Sequence, residues 1–293
     1  MGGAASLNCA IFVFFLLRQG TKSQFLEPDC GLSGITNKIT FGHDAVHGSN
    51  PWMAFIYRTV NQSTTEFVCG GTLIHKQLVL TAAHCIVNDE ILAVRLGAYY
   101  SLDSISTSMD YAVNKAFRNK LYNWTQQYHD IGILMLEPDV QFTAFTTAYI
   151  RPICIITDPT NVPSVRTFKA VGWGRTEHEK TARVLQILEL NELDPSECNN
   201  ALWTRINESQ ICAGHSIGDT CVGDSGGPLA HRLYMSGQVR YVQLGIVSFG
   251  SAECRSPGVY TRVSSYIDWI LKVVNNYLFR KIEFRRLHNI TNN

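Results

Sequence analysis

The sequence consists largely of short runs of β-branched, aromatic and aliphatic residues, separated by glycine, asparagine, aspartate and serine. Examples are residues 51–60, 72–82, 92–97, 131–136, 167–173 and 242–249. Runs of this length that end at turn-forming residues are typical of β-strands. Many short strands without regularly alternating helices indicate a barrel or a sandwich. The sequence therefore predicts an all-β fold.

One stretch, residues 264–278, predicts a helix. Its apolar residues recur at three- and four-residue steps and so share one face. They are Ile267, Ile270, Leu271, Val274 and Leu278. Ser264 or Ser265 is expected to be the N-cap, and the helix is expected to dock against the domain. The basic C-terminal tail, 278–293, is interpreted as solvated, with contact to acidic polysaccharide or a membrane surface as the alternative.

The first residues contain an unbroken apolar run, Cys9–Leu17, followed by a polar stretch. This run is far shorter than the roughly 20 residues that cross a bilayer, but it suits the apolar core of a secretory signal. We therefore expect a signal peptide over residues 1–23, with cleavage near Ser23, and a secreted, extracellular protein. A buried N-terminal strand is the alternative. No other apolar run approaches the spanning length.

The cysteines fit an oxidising compartment. Of the nine in the chain, Cys9 would leave with the signal. The others are Cys30, Cys69, Cys85, Cys154, Cys198, Cys212, Cys221 and Cys254. An even number in a secreted chain predicts a disulfide framework. The remaining chain has no C-x-x-C pair, and its His and Cys spacings do not resemble a zinc site, so no metal is expected.

Composition excludes several classes of protein. A formal net charge of +1 gives no field that would steer the chain to nucleic acid, so no nucleic-acid partner is expected. The hydrophobic content of 45% and charged content of 17% are ordinary for a globular protein and argue against disorder. Four N-x-S/T sequons are candidate glycosylation sites in a secreted protein. They are Asn61, Asn123, Asn207 and Asn289.

Three segments contain residue types that support nucleophilic catalysis. They are TAAHC with His84, HDIGILML with Asp130, and GDTCVGDSGGPL with Ser225. Residues 223–227 also fit the G-x-S-x-G nucleophile elbow of α/β-hydrolases. In that fold the serine precedes the acid and the histidine comes last, whereas here the order is His84, Asp130, Ser225. No alternating strand–helix pattern surrounds Ser225 either, so the elbow interpretation is rejected.

These segments, together with RPICI (151–155), VGWG (171–174) and PGVYTRV (257–263), resemble the chymotrypsin and trypsin family of serine proteases. The resemblance covers residues 39–277. It implies two packed six-stranded antiparallel β-barrels, an active site in the cleft between them and a C-terminal α-helix. The chain is similar to secreted arthropod trypsin-like proteases without a clip domain, because the residues before Lys38 are too few for that module.

The resemblance assigns a role to each residue of the triad. Ser225 is the nucleophile, His84 takes and returns its proton, and Asp130 orients the imidazole and stabilises its cation. The backbone N–H groups of Gly223 and Ser225 form the oxyanion hole. This machinery requires no metal or cofactor.

The resemblance also implies a substrate preference. Asp219 lies six residues before Ser225, where the trypsin branch carries the acid at the base of its specificity pocket. Gly250 and Gly258 match the glycines that keep that pocket open. Cleavage after Arg or Lys is expected, since a buried carboxylate needs a cationic partner. A surface-turn aspartate, with chymotrypsin-like or elastase-like preference, is the alternative. Phe249 stands where a tryptophan is usual beside the pocket.

The pair Lys38-Ile39 resembles the family's activation site, although Thr40 and Phe41 depart from the common Val-Gly. Cutting after Lys38 would free the Ile39 amine to pair with Asp224. Residues 24–38 would then be a propeptide and 39–277 the catalytic domain. The expected partners are Arg- or Lys-containing protein substrates, an activating protease and a protein inhibitor, and a monomer is expected.

The family's disulfide pattern implies the pairs Cys69–Cys85, Cys198–Cys212 and Cys221–Cys254. Cys30 and Cys154 would then pair and hold the propeptide after cleavage. We interpret the chain as the zymogen of a secreted trypsin-like endopeptidase. A catalytically silent homologue that acts as a binding or cofactor module is the alternative.

Overall fold

A computed structural model describes most of the chain. The described residues are 23–33, 43–61, 64–87, 90–101, 108–143, 148–175, 181–215, 220, 223–235, 237–251, 253–254 and 256–279. Several sequence predictions therefore fall outside the described residues. They are the signal segment before Ser23, Lys38, Ile39, Asp219, Cys221, Asn289 and the tail after Phe279.

The first half of the chain forms a closed antiparallel barrel. After a two-residue strand, β1 (His43–Asp44), its strands are β2 (Met53–Asn61), β3 (Thr64–His75), β4 (Leu78–Thr81), β5 (Leu92–Leu96), β6 (Met109–Arg118) and β7 (Gly132–Glu137). The hydrogen-bonded order around the barrel is β2-β3-β4-β7-β6-β5. The predicted run 72–82 is divided between β3 and β4 by a turn at Lys76-Gln77.

The second half forms another ring of six strands. They are β8 (Thr167–Gly172), β9 (Gln186–Glu192), β10 (Gln210–Gly214), β11 (Pro228–Met235), β12 (Gln238–Phe249) and β13 (Gly258–Arg262). The order β9-β10-β13-β12-β11-β8 closes through pairing of β8 with β9, and β1 adds to β9. The two antiparallel barrels confirm the all-β fold class predicted from the sequence.

Buried side chains join the barrels into one core. Trp173 packs edge-on against Phe55 with ring centres 5.4 Å apart. Across the same boundary, the Thr72 hydroxyl on β3 donates to Gln243 Oε1 on β12 at 2.6 Å. An unpaired buried amide would cost free energy, so this contact favours one relative position of the barrels.

Within the described residues, two α-helices accompany the barrels. The first, α1 (Pro195–Leu202), was not predicted; its N-cap Asp194 accepts a hydrogen bond from Ser196 N, and proline occupies the first turn. The second, α2 (Ile267–Val274), lies in the predicted C-terminal helix and buries Ile267, Ile270 and Val274. No helix in the described part of the chain is long and apolar enough to span a bilayer.

The predicted N-cap of the C-terminal helix was wrong. Ser264 and Ser265 lie inside a 3₁₀ turn, Val263–Tyr266, that leads into α2. Tyr266 precedes α2 and provides no side-chain cap. The tighter turn replaces a capping side chain, since it continues directly into the helical backbone. After Val274 the backbone continues as one π-helical turn, Asn275–Phe279.

One disulfide and several hydrogen bonds attach the N-terminal segment 23–33 to the second barrel. The Cys30–Cys154 bond spans 124 residues of sequence, and the Arg240 guanidinium donates to the carbonyls of Pro28 and Cys30. Phe25 forms a β-bridge with Ile156. The structure also contains Cys69–Cys85 and Cys198–Cys212. Cys254 is disulfide-bonded, and its expected partner Cys221 lies outside the described residues.

Lys169 is an unusual residue inside the second barrel. It lies on β8 with only 5% of its surface exposed, and its ammonium has no hydrogen-bond partner among the described residues. The ammonium instead lies 5.0 Å from the centre of the Tyr241 ring. Burial, and to a lesser degree the positive charge of Arg232, lowers the pKa of Lys169 from 10.5 to about 8 against the opposing effect of Glu189.

We predict that Lys169→Met raises the free energy of unfolding at neutral pH by about 1–3 kcal/mol, because it removes a charge that is costly to bury. The pKa of Lys169 is lower in the folded than in the unfolded chain. The cost of the charge is therefore fully present below pH 8 and disappears as the pH rises towards 10.5. Urea unfolding at the two ends of this range measures the difference.

The matched control is Lys272→Met on the exposed side of α2, which should change stability by less than about 0.5 kcal/mol. A Lys169→Met gain of equal size at both pH values would contradict the account, because it would not depend on the charge.

Candidate active site

His84 lies in a short turn after the strand β4 of the first barrel, and it lines the cleft. A 3₁₀ turn, Ala83–Cys85, follows β4, and the Cys69–Cys85 disulfide ties it to β3. The backbone N–H of His84 donates to Asp130 Oδ1 at 2.9 Å, and its Nδ1 lies 2.7 Å from Asp130 Oδ2. Because a carboxylate only accepts, Nδ1 carries a proton, and in the neutral imidazole Nε2 is then the acceptor.

Asp130 lies just before β7 and is fully buried. Besides the two bonds from His84, its Oδ2 accepts a 2.5 Å hydrogen bond from the Ser248 hydroxyl on β12. Its backbone carbonyl accepts from the Thr261 hydroxyl on β13 at 2.8 Å. A buried carboxylate is costly unless donors satisfy it, and here both barrels supply them.

Ser225 lies in a turn that both barrels hold. Its carbonyl accepts from Gly70 N on β3 at 2.8 Å, and Gly226 N donates to Val247 O on β12 at 2.9 Å. Gly226 has φ +78°, and a side chain there would collide with Thr81 Oγ1 and Gly70 O. Gly223 has φ +100°. Glycine is therefore required on both sides of Asp224-Ser225.

His84 and Ser225 line one cleft between the barrels. Its volume is about 260 Å³, and its walls also include Gln127, Thr220 and residues 247–251. The cleft thus brings together a serine hydroxyl and an imidazole whose Nδ1 is held by a carboxylate. This arrangement can support proton transfer to and from a serine nucleophile.

The predicted specificity residues are partly within the described chain. Gly250 lines the cleft, and a Cβ on it would lie 3.6 Å from Gly258 Cα, so the two glycines face each other. Thr220 lines the same cleft, and its hydroxyl lies 2.8 Å from the Tyr260 hydroxyl. Asp219 itself lies outside the described residues. Phe249 contributes an aromatic wall.

Of the predicted activation residues, only Asp224 lies within the described chain. The Asp224 carboxylate accepts from Gly174 N at 2.9 Å and abuts Gly172, where a Cβ would collide with it. Asp224 therefore lies against the VGWG segment, directly before Ser225. Its expected partner, the amine of Ile39, lies outside the described residues, as does Lys38.

Sequence reasoning missed three contributors to the site. Ser248 and Thr261 bind Asp130, and Gln127 lines the cleft. Serine, threonine and glutamine are common in strands and loops, so no local pattern identifies them. The only available signal for Ser248 was its position beside Phe249, in a run already predicted to form a strand.

A polar relay supports the residue next to Asp130. His129 has φ +58°, and its Nδ1 lies 3.1 Å from the Tyr266 hydroxyl, which donates to Ser209 Oγ at 3.0 Å. The Ser209 hydroxyl in turn donates to Asn207 Oδ1. Burial raises the pKa of Tyr266, so this hydroxyl keeps the proton that it donates to Ser209.

One group of possible metal ligands occurs within the described residues, Cys69, His84 and Cys85. Both sulfur atoms are consumed in the Cys69–Cys85 disulfide. Metal coordination by cysteine needs a thiolate, so this group does not provide a metal site.

Comparison with known proteins agrees with the geometry. The family model named Trypsin matches residues 39–270. Melanization protease 1 of Drosophila melanogaster is 35% identical over 86% of this chain and 69% of its own length. The clotting factor G beta subunit of Tachypleus tridentatus is 35% identical over 84% of this chain and 83% of its own.

Among solved structures, the Drosophila Grass clip serine protease of the Toll pathway superimposes with a TM-score of 0.73 at 29% identity. The match covers 84% of this chain and 74% of that one. With two six-stranded barrels, a cleft between them and a family match over most of its length, this chain belongs to the trypsin family of serine proteases.

Proposed function

We propose that this protein is a secreted trypsin-like serine endopeptidase, made as a zymogen and cut after Lys38. The observation that carries the proposal is the 2.7 Å contact between His84 Nδ1 and Asp130 Oδ2, beside a cleft that Ser225 also lines. Catalytically silent relatives usually lose part of the triad, whereas this chain retains all three residues.

The proposed reaction is hydrolysis through an acyl-enzyme. His84 Nε2 takes the proton of Ser225 as its oxygen attacks the substrate carbonyl. The N–H groups of Gly223 and Ser225 stabilise the oxyanion, and one such donor is worth roughly 10²–10³ in rate. His84 then protonates the leaving amine. Water attacks the acyl-enzyme with His84 again as the base, and the acid product is released. Asp130 stabilises the imidazolium throughout.

The proposed preference is for Arg or Lys before the cleaved bond. Its support is the register of Asp219 with Ser225, the facing glycines Gly250 and Gly258, and the position of Thr220, the residue after Asp219, in the cleft wall. A carboxylate at the base of a partly dry pocket gains most from a cationic side chain. Without a cationic substrate side chain, the charge of this carboxylate would not be compensated.

The proposed activation produces two chains that stay together. The signal peptide would span residues 1–23 and the propeptide 24–38, ahead of a catalytic domain over 39–277. Segment 23–33 is held by the Cys30–Cys154 bond and by Arg240, so cleavage after Lys38 would leave it attached. By resemblance to the family, an activating protease and a protein inhibitor are the proposed partners, and a monomer is the proposed state; two relatives are named for melanization and clotting.

The first test assays precursor cut after Lys38 on matched Arg, Lys, Phe and Ala chromogenic peptides. We expect turnover of the Arg and Lys peptides only, because Asp219 complements a cation. Ser225→Ala is the control without a nucleophile and should be inactive. If cut protein with a free Ile39 terminus turned over none of the peptides, the silent binding module would be the better interpretation.

A second prediction compares Asp130 itself with one of its hydrogen-bond donors, Ser248. Asp130→Asn should lower kcat by about 10⁴, because an amide favours the wrong tautomer of His84. Ser248→Ala should lower it by less than about tenfold, since the carboxylate keeps both bonds from His84 and loses one net hydrogen bond. Steady-state kinetics on the Arg peptide measures both, and equal losses in the two variants would refute the assignment.

A third prediction concerns alkaline pH. The cut enzyme should lose kcat/KM as the pH rises well above the ordinary pKa range of an α-amine, about 8. The protonated Ile39 amine is the form that pairs with Asp224, and deprotonation would leave that carboxylate without its cation. Acetylation of the amine should inactivate the enzyme at every pH. Activity that stays constant far into the alkaline range would contradict this role.

A further inference from the structure

Two of the sequons lie on loops at the same rim of the cleft. Asn123 precedes β7 and Asn207 precedes β10, and both are exposed. We propose that N-linked glycans on Asn123 and Asn207 form a steric gate that hinders folded protein substrates and leaves short peptides unaffected. The inference rests on the proposed function, because it requires a secreted peptidase.

Asn123 is directly connected to the cleft. Its carbonyl accepts from Gln127 N at 2.7 Å, and Gln127 lines the cleft. Asn123 Oδ1 accepts from the backbone N–H groups of Thr125 and Gln126. The side-chain oxygen is therefore engaged in a turn, and the amide nitrogen, where a glycan attaches, makes no hydrogen bond in the described chain.

Asn207 has the same arrangement on the neighbouring loop. Its Oδ1 accepts from the N–H and the hydroxyl of Ser209 at 2.9 and 2.7 Å. Its amide nitrogen likewise has no hydrogen-bond partner within the described residues. Both acceptor side chains thus present the reactive nitrogen on an exposed turn, as glycosylation requires.

The two loops pack against each other. The Tyr128 hydroxyl donates to the carbonyl of Arg205, and Gln210 Nε2 donates to the carbonyl of Gln127 at 3.4 Å. Tyr128 and Gln127 follow Asn123, while Arg205 and Gln210 flank Asn207. Glycans on the two asparagines would consequently project from one continuous rim.

Interface size explains why only folded partners would be affected. A protease and a folded inhibitor bury about 800 Å² on each partner, so such a partner covers the rim as well as the cleft. Trp124, inside the first sequon, and Trp203, four residues before the second, are 58% and 95% exposed and offer apolar surface. A bulky, hydrated glycan competes for this surface, whereas a short peptide needs only the cleft.

The test uses protein secreted from insect cells, with glycan occupancy read from peptide masses. Asn123→Asp and Asn207→Asp remove the acceptor nitrogen but keep the oxygen that each turn needs. One substrate is a short Arg peptide, and the other is the same sequence placed as a linker between two folded domains. Asn61→Asp is the matched control, because it removes a sequon at the end of β2, which is on a different loop from the Asn123–Asn207 rim.

We expect the double variant to raise kcat/KM on the linked substrate about tenfold, which corresponds to about 1.4 kcal/mol, without a change on the free peptide. Thr125→Ala adds no charge and should reproduce the effect of Asn123→Asp, which excludes an electrostatic cause. The Asn61 variant should match the wild type on both substrates.

Two results would overturn the proposed steric gate but leave the proposed function intact. One is an absence of glycan at both positions, and the other is an unchanged ratio between the two substrates in the double variant. Lack of turnover of the free peptide by every cut, properly processed variant would instead refute the proposed function, and the gate with it.

Discussion

The structure depends on the satisfaction of one buried negative charge. Asp130 is fully buried, and moving a carboxylate out of water costs several kcal/mol unless hydrogen bonds replace its hydration. His84 supplies two donors from the first barrel, and Ser248 supplies a third from the second. The carboxylate is stable only when both barrels are in register, so the same contacts that orient the imidazole also fix the relative position of the barrels.

The turn that carries Ser225 is also held by both barrels, here through neutral backbone groups. Gly70 N and Val247 O hold its backbone from opposite sides, and the approach is so close that a side chain at Gly226 would collide with both a hydroxyl and a carbonyl. Gly226 and Gly227 are buried at this boundary, so their backbone hydrogen bonds lie away from bulk solvent. Such bonds are stronger in a dry environment, which makes the turn a rigid support for Ser225.

Much of this arrangement could be predicted from sequence. The short apolar runs predicted the β architecture, and family motifs identified His84, Asp130 and Ser225 as candidates. Ser248 and Thr261 could not be identified in this way, because they contact Asp130 only through the folding of strands far away in the sequence. Helix α1 did carry a local signal, Asp194 followed by Pro195, but it is short and lacks a strong apolar face. The cap at Ser264 or Ser265 failed because a 3₁₀ turn precedes α2.

The division of the site between the barrels has a consequence for biosynthesis. A chain made from its N-terminus completes β2–β7, with His84 and Asp130, before the turn that carries Ser225 exists. Domains generally fold as units during synthesis, so a first barrel folded at that stage would hold His84 and Asp130 without Ser225. Under the proposed function, such an incomplete molecule would hold a base but no nucleophile and could not cleave its neighbours, whether or not residues 24–38 had been removed.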